Sequence, residues 1–72
     1  DRHAEARDAF ESVLKVQPTN VAAHVNLALA LAQTGQSDAA VQHLRRAVQL
    51  EPDPAARQGL EQEIASLLRA PR

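Results

Sequence analysis

An all-α fold of four antiparallel helices follows from three features of the sequence. Alanine, leucine, glutamate, glutamine and arginine dominate the composition, and all five favour helix. Breaks at Pro18, Gly35 and Pro52 divide the chain into stretches of helical length. The segment ARDAFESVLKVQP at 6–18 is answered by AVQHLRRAVQLEP at 40–52, an offset of 34 residues.

The first helix is expected over 2–17, with Ala6, Ala9, Phe10, Val13 and Leu14 as its apolar stripe. It should stop before Pro18, because the residue ahead of a proline is pushed out of helical geometry. Asn20 stands where a cap for the next helix belongs. That helix, 21–34, contains LALALA at 27–32, whose alternation imitates a strand. Leucine and alanine are not β-branched, the apolar segment runs on too long, and a capping residue precedes it, so helix is the better reading. Gly35 can end it in a left-handed turn. Ser37 is a candidate cap for a third helix, 37–51, with Ala40, Val41, Leu44, Ala47 and Val48 on one side. After Pro52, Asp53-Pro54 supplies a capping carboxylate followed by proline in the first helical position. The last helix, 54–69, places Leu60, Ile64, Leu67 and Leu68 together, and Ala70-Pro71-Arg72 reads as a frayed end.

Seventy-two residues make one small domain, and 15 of them are alanine. Only 17 large aliphatic or aromatic side chains remain, too few for a deep core but enough for closely packed helices. The net charge is −1 with the two signs interspersed, which gives no electrostatic ground for a nucleic-acid or anionic-membrane partner. Without cysteine there is no disulfide and no thiolate metal site. No apolar run reaches 18 residues, the length a membrane-spanning helix needs. The chain opens without methionine or the apolar core of a signal peptide, and we read it as a piece of a longer protein.

The 34-residue offset keeps apolar character at every core position: Phe10, Val13, Leu14 and Val16 answer Leu44, Ala47, Val48 and Leu50, and Pro18 answers Pro52. A period of this length built from paired helices marks a solenoid. Residues 21–54 carry a more specific likeness. Leu27-Ala28, Gly35 at the inter-helix turn, small residues at Ala40 and Ala47, and a closing Pro52 resemble the tetratricopeptide repeat family. On that resemblance the chain is one domain, with 1–20 the second half of a repeat, 21–54 a full repeat and 55–72 a capping helix. Departures are visible too. His24, Leu31, Ser37 and Leu44 occupy positions the family often gives to aromatic rings, and Glu61 falls where Leu27 would repeat.

Chemistry at a reactive site finds no support. His3, His24 and His43 lie on three helices, and no two have the four-residue spacing of a helical zinc site. The plainer reading makes His24 a core-filling ring and sets His3 and His43 beside packed faces. No serine sits in a nucleophile elbow, and there is no glycine-rich phosphate loop. No catalytic residue, metal or cofactor is therefore expected. The second helix is the informative element. At about 100° per residue, His24, Leu27, Ala28 and Leu31 share one face, while Ala22, Val25, Leu29 and Ala32 form another about 150° away, edged by Asn26 and Gln33. The third helix can bury only the first face. The resemblance points to the same six residues, Ala22, Val25, Asn26, Leu29, Ala32 and Gln33, as the lining of a concave groove. The expectation is a non-catalytic interaction module that takes a peptide or helix in a shallow apolar groove. Self-association through the first helix, and a targeting or scaffolding appendage of a larger enzyme, remain as alternatives.

Overall fold

Where the chain can and cannot continue a helix decides the architecture. The structure is a computed structural model that describes residues 2–69. Four helices follow one another: α1 (Arg2–Val16), α2 (Val21–Gln33), α3 (Ser37–Leu50) and α4 (Pro54–Arg69). Ala70-Pro71-Arg72, expected to fray, lies outside the described residues. The alternating LALALA segment is helical, and no strand occurs among the described residues.

Each boundary has an identifiable cause. Asn20 accepts the Ala23 N–H in its side-chain oxygen at 2.9 Å, which satisfies one donor of the first turn of α2. At the other end of α2, Gly35 adopts φ 81°, a conformation open to glycine at low cost. The Gln36 N–H donates to Leu31 O at 2.9 Å and the Gly35 N–H to Ala32 O at 3.2 Å, the paired bonds of a Schellman turn. At α4, the Ala55 N–H donates to Asp53 Oδ1 at 3.3 Å, so Asp53 caps the helix as its spacing before Pro54 predicts. The Arg57 guanidinium reaches back to Glu51 O at 3.1 Å and ties α4 to the end of α3.

The expected cap of α3 is different. Ser37 is already helical, and Gln36 holds the capping position without a side-chain bond to the helix. The Schellman turn leaves no spare residue, because Gln36 O accepts the first helical bond from Ala40 N at 3.0 Å. The Gln36 side chain turns back to Thr34 Oγ1 instead.

Neighbours in the chain are neighbours in space: α2 packs on α1 and α3, and α3 packs on α2 and α4. The result is a slab about 33 × 33 × 14 Å over its Cα atoms. Its core lies where α2 meets α3, in a cluster of Leu27, Ala28, Leu31, Ala40 and Leu44. Phe10 and Leu14 approach that cluster from α1, and Leu60, Ile64 and Leu67 from α4. Leu27 and Leu44 are the largest fully buried side chains, each contributing about 1.5–3 kcal/mol. Neither α1 nor α4 buries a residue completely. Val13 and Val16 remain exposed on α1. Leu68, expected on the packed face of α4, is 56% exposed, because one residue beyond Leu67 rotates it about 100° toward solvent.

Ala28, Ala40 and Ala47 are at most 1% exposed, as the small-residue positions predict. Side chains this short let the α2 and α3 backbones come close. Ala40→Leu is therefore expected to overpack the contact and lower stability by about 1–3 kcal/mol. Thermal unfolding measures it, and an unchanged midpoint would show the alanine contact to be loose.

Candidate functional site

Helix α2 is buried along one side, half-buried at the margin of that side and open on the rest. Ala23, His24, Leu27, Ala28, Ala30 and Leu31 are buried, an arc of about 160° at 100° per residue. Ala22, Asn26, Leu29 and Gln33 are exposed and form a continuous stripe up the remaining side. Val25 and Ala32 lie on the margin, half-buried and packed against the core cluster. The six residues singled out from the sequence thus occupy one side of α2, but the open part is the narrower stripe of four. Leu29 sits within it, 43% exposed, the only exposed large apolar side chain on this helix among the described residues. Asn26 and Gln33 place amide groups a turn below and a turn above it, each able to donate and accept.

A shallow depression of about 330 Å³ lies elsewhere, between α3 and α4, lined by Arg45, Val48, Gln49, Glu61 and Ile64. It shares no residue with the α2 stripe. Its walls carry one cation and one carboxylate, with no histidine, serine or cysteine to act as a reactive group.

The histidines are arranged in a way that their sequence spacing conceals. His24 is buried, as its place in the apolar stripe predicts, but it also meets His43 from α3. Their Nδ1 atoms are 3.2 Å apart and the ring centroids 5.4 Å. The other nitrogen of His24, Nε2, lies 2.9 Å from Pro18 O in the α1–α2 turn. Burial is the main influence holding His43 below its ordinary pKa of 6.5; His24 adds to it and Glu11 opposes it. The contact follows from the register of the α2–α3 hairpin, which neither helix's own stripe contains. From the Ala28–Ala40 level of the core, one helical turn outward is His24 on α2 and His43 on α3. Among the described residues no group of three or more metal-ligating side chains gathers anywhere. No helix among them is long and apolar enough to cross a membrane.

Compared with known proteins, residues 1–64 match the family model described as tetratricopeptide repeat. No curated protein and no solved structure matches the chain.

Proposed function

The chain belongs to the tetratricopeptide repeat family, and from that membership we propose that the exposed stripe of α2 is a partner-binding face. Repeats of this family are generally protein–protein interaction modules and typically non-catalytic. In this reading residues 21–54 form a full repeat, 1–20 the second half of a preceding one, and 55–72 a capping helix. The observation that carries the proposal is Leu29, left open on a helix whose other large apolar side chains are buried or half-buried. A peptide or helix laid along the stripe would cover Leu29 and meet Asn26 and Gln33, whose amides fix its orientation. Val25 and Ala32, already leaning on the core, form the floor of the contact.

Energetics limit what this face does alone. Complete burial of a leucine is worth about 1.5–3 kcal/mol, and Leu29 has already gained part of that. Micromolar affinity requires about 8 kcal/mol. The stripe therefore acts as one segment of a longer contact, as a repeat array would provide. The role of a targeting or scaffolding segment within a larger enzyme is compatible with the same face. Self-association is the second reading, and it rests on Val16, 80% exposed on α1.

One experiment separates the two. A photo-crosslinking side chain is placed at Asn26 or at Val16 in the full-length protein. The groove reading expects heterologous adducts at Asn26 that disappear with Leu29→Glu, since a charge would have to be desolvated in an apolar contact. Adducts between copies at Val16, with none at Asn26, would replace the groove with self-association.

A further inference from the structure

We infer that His24 and His43 form a proton-sensitive latch that joins α2, α3 and the α1–α2 turn. The bond pattern follows from what each atom can do. A carbonyl only accepts, so the contact to Pro18 O requires a proton on His24 Nε2. In neutral His24 the Nδ1 atom is then bare. The 3.2 Å contact between the two Nδ1 atoms is a hydrogen bond only if His43 Nδ1 brings the proton. The chain Nδ1–H of His43 to Nδ1 of His24, then Nε2–H of His24 to Pro18 O, crosses three segments of the fold. It leaves His43 Nε2 as the ring nitrogen of the pair that carries no proton and takes no part in the chain.

Proton uptake proceeds from there. The first proton enters at His43 Nε2, makes that ring a cation, and leaves both bonds in place. The second has its place only on His24 Nδ1, where it would face the N–H of a charged neighbour at hydrogen-bond distance. Two donors cannot share that contact, and two cations oppose each other across it. The doubly protonated pair therefore separates, releasing α2 from α3 at the level of the turn.

Two charged or titratable groups act on His43. Glu11 faces His43 from α1 and His24 faces it from α2, while no α4 group is among the influences on it. The Pro18 carbonyl is the turn's contribution. Burial and the second imidazole hold His43 below its ordinary value, and the Glu11 carboxylate only partly offsets them. In the opened chain the His43 ring is free to charge near its ordinary value of 6.5. A group depressed in the folded state contributes stability above that value and loses it as pH falls through the folded-state value. The latch is thus closed at neutral pH and weakens as pH falls below the ordinary value of 6.5. It stands independently of the groove, although it would make the groove-bearing helix acid-labile.

The test is denaturant unfolding of the full chain between pH 7.5 and 5, with ring-nitrogen NMR at neutral pH. Each proton taken up on opening raises the unfolding equilibrium constant by up to about tenfold per pH unit. A several-fold rise below pH 6.5 is expected, cut by at least half in His43→Gln, which keeps a neutral donor but does not titrate. An unchanged equilibrium constant, or an equal rise in the variant, would overturn the latch. The NMR measurement needs no substitution. It should find His24 protonated on Nε2 and His43 on Nδ1, and the reverse assignment for His24 would also overturn it.

Discussion

Leu27→Glu is expected to unfold the chain, whereas Leu29→Glu, two residues away on the same helix, leaves its melting temperature nearly unchanged. Leu27 is 1% exposed in the core and Leu29 is 43% exposed on the open stripe. Glutamate is about as good a helix former as leucine, so helix propensity cannot account for the difference. At position 27 the substitution forfeits about 1.5–3 kcal/mol of apolar burial. It also leaves a carboxylate without a partner, a fault that costs about 3–5 kcal/mol in buried sites. A domain of this length, at roughly 0.05–0.15 kcal/mol per residue, has about 4–11 kcal/mol in total. The sum approaches or exceeds the whole of its stability. At position 29 the change falls on the surface and should stay within about 0.5 kcal/mol. Far-ultraviolet circular dichroism and melting curves of the two variants give the comparison. If both unfold, the two faces of α2 are equally core and the open stripe loses its physical basis. If neither does, the α2–α3 interface is not where the stability resides.

The fold was legible because its punctuation is chemical and local. Pro18, Gly35, Asp53 and Pro54 act through their own backbone restrictions or side chains, and each does what its type requires. Ser37 misled because two signals competed for adjacent positions. A Schellman turn after α2 uses Gly35 and Gln36, which leaves Ser37 inside α3 rather than ahead of it. The periodic stripes located the core at Leu27, Ala28, Ala40, Leu44 and Ala47, since a 3.6-residue repeat fixes which side faces inward. They could not say how deeply α1 and α4 would be covered, because that depends on neighbours and not on pattern. The candidate face was legible in direction, but its margins were not. Val25 and Leu29 are one turn apart and equally apolar, yet only the first leans on the core. The His24–His43 contact was the least accessible feature. It depends on the register between two helices, which no single-helix stripe contains.

That dependence on neighbours supplies the last test. Phe10 and Leu44 occupy matching positions 34 residues apart. Leu44 is fully buried on α3, which packs against α2 and α4. Phe10 is only half-buried on α1, whose principal neighbour is α2. Leu44→Ala should destabilise the chain by about 2–5 kcal/mol, combining lost transfer energy with a cavity that close-packed helices cannot collapse. In a fully covered site Phe→Ala would cost about 3–5 kcal/mol, at least as much, because the ring is larger. With one face of α1 open, water fills part of the space left by the ring, and the loss at Phe10 should be about half that. The order of the two substitutions therefore inverts the order of their side-chain sizes. Urea unfolding of both variants, with slopes compared to confirm that the same surface is exposed, reads the difference directly. A loss at Phe10 equal to or greater than that at Leu44 would mean that α1 is covered in solution. Because no other element among the described residues is placed to cover it, the midpoint would then shift with protein concentration, as it does when a second copy closes the face.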